Sequence, residues 1–492
     1  MTPFSTLTAA SRAPANFKPI VSIQAEVIMT QDSDKRSVDI LITAGCIVTV
    51  DAERRIIRDG AIAIDGSDIV AVGPRAEITA KFSGKRHIDA PAGLVTPGLI
   101  DSHNHPVDYL IKGLVDDTPQ LIRLRDRVIP YEDGITDEEA YASACATYVE
   151  MLRLGTTCFV DGASPQPNAV ARAAEEFGIR GIVTYRVMDV AGPFGGHVDD
   201  TQTAIERADE VVDRWHGAAD GRLRACYDID ILPAVSDELA TMVLDHAKAR
   251  GVGIVSHFIG RQPPAGEPEM TTNPDIQRLK RLGLLGPHMM LAHIGWIPQA
   301  DVELLAETGT NIAHCPGSSL VGGNGWVAHG VIPDLVAAGA KVVLGTDAIA
   351  IARTQDMARM MQFAACTHKD VRRDPTIMNP HHVFEMATIK GAEAVGWDDR
   401  IGSLEVGKAA DLAIFDTSGP HWWPEPFANP VADFVYGGSA RDAQTVIVDG
   451  RILMDDGILI DVDLDAIGKL VLQAKKSSFE RHGFELAGGW PK

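Results

Sequence analysis

From Val38 onward the chain alternates short apolar runs with polar breaks, first as VDILITAGCIVTV and then as GAIAIDGSDIVAVG. Their β-branched residues and Asp-Gly turn predict strands joined as hairpins. Residues 1–35 mix Pro, Ser, Thr and Gln with few periodic apolar positions and read as a polar extension. At GLVTPGLIDSHNHP, Gly93 to Pro106, a buried-strand pattern ends in a polar tip, and beyond it apolar strands alternate with helical stretches. Thr136 and Glu139 form a capping box ahead of Ala140, Ala144, Tyr148 and Leu152, which recur at helical spacing until Gly155 stops the run. The next strand candidates are TTCFVDG, GIRGIVTYRVMD, LRACYDID, VGIVSHFI, MMLAHIG, TNIAHCPG and KVVLGTDA, which with the first make eight. Helical stretches such as SDELATMVLDHAKAR and ADVELLAETG separate them.

Strands alternating with helices imply parallel pairing, and eight such units favour a closed barrel over an open sheet. After HHVFEMATIKGAEAVG the pattern returns to strands in ADLAIFD and AQTVIVDGRILMDDG. The expectation is an α/β protein with a (β/α)₈ TIM barrel over residues 96–398 and a small composite β-sandwich. Residues 36–95 supply one part of that sandwich and residues 399–492 the other, together with a C-terminal helix. A length of 492 residues accommodates a barrel of ~250 residues plus this accessory layer.

Charge narrows the partners. Asp and Glu number 67 against 45 Lys and Arg, and the resulting −22 would repel nucleic acid and anionic membranes, which leaves a small-molecule substrate. The six cysteines, Cys46, Cys145, Cys158, Cys226, Cys315 and Cys366, are scattered without a C-x-x-C pair and read as free thiols of a reducing cytoplasm. The N-terminal MTPFSTLTAASRAPANFKPI has no continuous apolar core, and no later run approaches ~18 apolar residues, so neither export nor a membrane span is expected.

The chemistry gathers at strand ends. His103 and His105 project to the same side of an extended strand and can share a cation. His257, His293 and Asp347 also end apolar strands, and five polar groups in such places are costly unless they serve a site. Arg186, ending the third strand, either polarises a carbonyl, binds a carboxylate, or pairs with Asp189 or another neighbour. His314, Ser318, Ser319 and Asn324 share one loop, where Ser318 and Ser319 either contact substrate or stabilise the turn. Residues 107–130, rich in Leu, Ile and Val, form a wall of the pocket and imply a partly apolar substrate. Asp116 and Asp117 cap a helix, and the adjacent His381 and His382 point apart and are not ligands.

LVTPGLIDSHNHP, EMLRLGTT, the strands ending in SHF and LAHIG, AHCPGSS, VVLGTD and GSLEVGKAADLAIFD together resemble the amidohydrolase superfamily. The similarity is strongest to the branch of triazine, phenylurea and thiocarbamate hydrolases and of cytosine and S-adenosylhomocysteine deaminases. It implies that His103, His105, His257 and Asp347 bind metal, and that His293 and Asp347 are catalytic, His293 assisting water activation or contacting substrate. Binuclear relatives carry a bridging lysine at the end of strand four. RACYDIDILPAVS has none, so one divalent ion per subunit is expected. Zinc suits three imidazoles, a carboxylate and a water, and cobalt, iron or manganese would accept the same donors. The resemblance also implies a homo-oligomer.

One departure separates subclasses. Deaminases of this branch place a glutamate three residues after the strand-five histidine, where this chain has Gly260. Glu267 or Glu269 could fold back from the following loop. The expected reaction is therefore hydrolysis of an amide, urea, carbamate or thiocarbamate C–N bond by metal-activated water. Deamination or dechlorination of a purine, pyrimidine or triazine ring is the alternative. A barrel kept only as a scaffold is a third reading, which the intact ligand positions oppose.

Overall fold

The computed structural model describes residues 35–260 and 270–486. The extension before Lys35 and the loop with Glu267 and Glu269 lie outside the described residues. The strands are β1 (Arg36–Val48), β2 (Ile56–Asp65), β3 (Asp68–Pro74) and β4 (Phe82–Pro97), followed by β5 (Leu99–Asn104), β6 (Thr156–Asp161), β7 (Arg180–Val187) and β8 (Leu223–Ile231). Next come β9 (Ile254–Phe258), β10 (Met289–His293), β11 (Asn311–His314) and β12 (Lys341–Leu344), and then β13 (Leu412–Asp416), β14 (Ala443–Val448), β15 (Arg451–Asp455) and β16 (Ile458–Leu459).

β5 to β12 pair in sequence order, each parallel to the next. The ring is drawn together between its first and last strands by a parallel bridge from Asn104 to Asp347, in which Asp347 N–H donates to the His103 carbonyl at 2.8 Å. These are the eight strands expected from the apolar runs. Every one of them contributes to a single buried cluster that includes Ile100, Val160, Ile182, Cys226, Val255 and Val343 and is closed by Trp397. That apolar plug leaves the polar side chains to gather at the other, C-terminal ends of the strands, where barrels of this kind hold their chemistry.

The outer segments join in one mixed sheet of order β16-β15-β14-β13-β4-β1-β2-β3. β4 is the seam: it runs parallel to β1 and antiparallel to β13, with Leu412 opposite Pro97. Period-two patterning explains the burial. Ile40, Ile42, Ile62 and Ile64 enter a cluster with Val95, Leu412 and Ile414, while Leu41, Ala61 and Ala63 face the opposite cluster. A buried ion pair ties the sheet to the barrel: Arg180, opening β7, donates to both carboxylate oxygens of Asp411 at 2.7 and 3.0 Å.

The capping box is present on the helix Asp137–Leu152, with Glu139 N–H donating to Thr136 Oγ1 at 3.3 Å and the Thr136 N–H donating to Glu139 Oε2 at 3.1 Å. The helix Leu464–His482 docks there through Arg481, which donates to Glu139 Oε2 at 2.9 Å. Asp116 and Asp117 do not cap a helix as the sequence suggested. The short helix Gln120–Arg123 begins after Pro119 without a side-chain cap, and Asp116 faces Arg353 at 3.6 Å. Among the described residues no helix is long and apolar enough to cross a membrane.

Candidate metal centre and active site

The five polar residues expected to form a site do meet. His103 and His105 end β5, His257 lies near the end of β9, His293 ends β10, and Asp347 follows β12. His293 and Asp347 have left-handed backbones, with φ of 80° and 65°. For side chains other than glycine such conformations are strained, and they concentrate where a site requires a particular side-chain direction.

Donors held ~2.0–2.1 Å from a single tetrahedral ion lie ~3.3 Å from one another. Here His257 Nε2 is 3.2 Å from His105 Nε2, while Asp347 Oδ1 is 3.4 Å from His105 Nε2 and 3.7 Å from His103 Nε2. His103 Nε2 is buried without a hydrogen-bond partner, as is His293 Nδ1. Unpartnered buried nitrogens facing a carboxylate at this spacing fit a divalent cation well.

The backing groups are specific. His257 Nδ1 donates to the Asp230 carbonyl at 2.8 Å and lies 3.4 Å from its carboxylate, which turns Nε2 toward the other donors. Burial works against a charged His257, yet the hydrogen bond and field of Asp230 raise its pKa to about 9. Burial and neighbouring imidazoles act the other way on His105, bringing it down to about 4. Burial likewise lowers His293 to about 4 against the opposing field of Asp347, so its ring is neutral. Asp101 locks the two ligand strands: its carboxylate accepts the Thr346 N–H at 2.9 Å and the Asn104 side-chain amide at 3.1 Å.

A pocket opens onto these groups, with Leu124, Val128, Ile129, Ile259 and Ile351 on its apolar side. Trp326 also lines it and lies tilted against His293, their ring centroids 4.7 Å apart. Of the remaining sequence candidates Asn324 lines this pocket, while Arg186, Ser318 and Ser319 do not. Arg186 donates to Glu132 at 2.7 Å and to Asp133 at 2.6 Å, while Asp189 instead receives Ser236 and Thr201. Ser318 donates to the Cys315 carbonyl at 3.1 Å. Ser319 accepts the Val327 N–H at 3.2 Å.

The expected wall of residues 107–130 does line the pocket, though Asp108 and Arg123 in it were not singled out, and sequence reasoning missed Glu132 and Asp230, which line it too. Asp230 was readable, because the alternation in YDID places it on the same strand face as Asp228. Asp108, Arg123 and Glu132 lie in irregular or short helical segments, where no period says which side chains turn inward. Gly260 is explained by space: a β-carbon there would sit 2.1 Å from the Trp296 carbonyl oxygen.

Residues 94–453 match the amidohydrolase family. A 5-methylthioadenosine/S-adenosylhomocysteine deaminase of Syntrophobacter fumaroxidans is 32% identical over 435 residues, spanning 87% of this chain and 96% of that protein. A 5'-deoxyadenosine deaminase of Methanosarcina mazei is 30% identical over 445 residues, spanning 90% and 98%. Among solved structures, a zinc-bound adenosine deaminase from Xanthomonas campestris superposes with a TM-score of 0.82 at 27% identity, covering 91% of this chain and all of that one, 100%. An atrazine chlorohydrolase from Arthrobacter aurescens complexed with zinc gives 0.76 at 25% identity, covering 89% and 100%.

Proposed function

The chain belongs to the amidohydrolase family and is a metal-dependent hydrolase of C–N bonds other than peptide bonds, and from that premise we propose that it cleaves an amide, urea, carbamate or thiocarbamate in a small, partly apolar molecule. The observation that carries the reading is the convergence of His103, His105, His257 and Asp347 at tetrahedral spacing beneath an apolar-sided pocket. These four would hold one divalent ion, and zinc is the best match to their nitrogen-rich set, with cobalt, iron or manganese as substitutes. When bound, such an ion acidifies water and polarises the bond under attack.

The protein supplies the proton path. Asp347 Oδ2 lies 3.9 Å from His293 Nδ1. The pair can take a proton from the attacking water and return it to the leaving nitrogen. Trp326 steadies the His293 ring and keeps bulk water from it. Arg186 holds Glu132 at the pocket wall and so acts by positioning; Ser318 and Ser319 secure the loop they share with Asn324.

Ring deamination is the second reading, favoured by the names of the relatives. Against it, the fifth-strand position that would carry a glutamate is filled by glycine beneath the Trp296 backbone. Further parts of the proposal are a cytoplasmic location, supported by scattered cysteines, and a homo-oligomer, supported by the family resemblance alone. The test is metal analysis of the purified protein together with a turnover panel of ureas, carbamates, amides and aminated heterocycles. Zinc at one per chain with amine release from the acyclic compounds supports the leading reading. Ammonia from the heterocycles alone would replace it with the second, and metal-free protein with no turnover would defeat both.

A further inference from the structure

Four arginines are buried among the described residues, Arg123, Arg180, Arg186 and Arg222. Three face carboxylates: Arg180 meets Asp411 and Asp449, Arg186 meets Glu132 and Asp133, and Arg222 lies 3.7 Å from Asp220. Arg123 is the exception. It is 2% exposed, and its hydrogen-bond partners are neutral, the Gly322 carbonyl at 3.2 Å and Asn324 Oδ1 at 2.9 Å. Its Nε has no hydrogen-bond partner. Gly322 makes room for the guanidinium, since a β-carbon there would approach Nη1 to 2.6 Å.

A guanidinium buried with no carboxylate in hydrogen-bonding contact is an expensive arrangement that a fold does not keep for stability. Its place accounts for it. Arg123 lines the pocket together with His293, Asp347 and Trp326, and its field is felt at both His293 and Asp347. The two neutral partners fix the plane of the guanidinium and leave its remaining N–H donors free, including Nε–H, in the fork that suits a planar oxyanion.

We propose that Arg123 anchors an acidic group of the substrate, so that the molecules this pocket accepts carry a carboxylate beside an apolar body. The inference rests on the hydrolase reading for the word substrate, but its test is a binding measurement that does not need turnover. The zinc-loaded full-length protein is titrated by calorimetry with matched pairs, benzoate against benzamide and nicotinate against nicotinamide. The expected result is tighter binding of each acid by on the order of 10- to 100-fold, the scale of a charge-assisted hydrogen-bonded pair. Arg123→Met abolishes that preference and leaves amide binding and zinc content unchanged, while Arg123→Lys keeps part of it. Acids that bind no better than amides to the unaltered protein overturn the proposal, even where Arg123→Met fails to fold. An acid preference that survives Arg123→Met overturns it too, because the metal alone would then be holding the carboxylate.

Discussion

Replacing Gly260 by alanine tests the geometry between two metal-site strands. The new β-carbon would stand 2.1 Å from the Trp296 carbonyl oxygen, whereas ordinary contact begins at 3.4 Å, so one backbone must retreat by 3.4 − 2.1 = 1.3 Å. Alanine stiffens the unfolded chain and returns ~0.4–1 kcal/mol, but overpacking of this kind costs ~1–3 kcal/mol, and the clash wins by ~1–2 kcal/mol. The larger effect is on rate. Gly260 lies three residues beyond His257 and Trp296 three beyond His293, so the displacement spreads into the reacting groups, where a shift of ~1 Å can cost ~10²-fold. Urea unfolding followed by tryptophan fluorescence, kcat and zinc content measured on one preparation would read all three quantities. Gly468→Ala is the control. That glycine lies inside the helix Leu464–His482 with open space around its β-carbon position, so alanine should stabilise by ~1 kcal/mol through helix propensity. Unchanged stability and turnover in Gly260→Ala, against the expected gain in the control, would refute the steric account of this glycine.

Alanine at His103, His105, His257 or Asp347 should each remove zinc or turnover while near-native circular dichroism persists; a His257→Ala protein with full zinc and normal rate would exclude that residue from the ligand set. Asp411→Ala should cost ~3–5 kcal/mol in urea unfolding, because it strands the buried Arg180 guanidinium between barrel and sheet, and a loss under ~1 kcal/mol would show that Asp449 alone suffices. His368 and His314 touch through their Nε2 atoms at 3.1 Å, and burial lowers His368 from 6.5 to about 4 and His314 well below 6.5. The unfolded chain therefore binds protons that the folded one refuses, and stability should fall as pH drops from about 6.5 to 4, by up to ~1.4 kcal/mol per pH unit for each ring. His368→Gln should flatten that slope in pH-dependent unfolding curves; an unaltered slope would assign the acid sensitivity elsewhere.

The strands and the histidines that end them were legible because each apolar run is short, ends in a polar residue and alternates with a helix. The same alternation of Ile40, Ile42, Ile62 and Ile64 announced the outer sheet. What stayed hidden was decided by tertiary contacts. Arg186 looked equally suited to a substrate or a salt bridge, and only the arrival of Glu132 and Asp133 from more than fifty positions upstream settles its partners. Arg123, Asp108 and Glu132 sit in turns and one-turn helices that have no repeating face, so their inward direction was not encoded in spacing. The bridge between Asn104 and Asp347 could be inferred from the barrel topology, but the Asp101 network that secures it could not.

That bridge sets an order of events during synthesis. Asp101 and Thr346 are 245 residues apart, yet they hold the first and last barrel strands together at the rim where His103 and Asp347 meet. A nascent chain can pair β5 through β11 as each emerges, but His103, His105 and His257 remain a three-sided cup until β12 closes the ring. Joining positions so distant is slow, because the loop entropy is lost before the contact is gained. A cation captured by the finished cup would then act as a late clasp, tying the first barrel strand to the last only after the ring has closed.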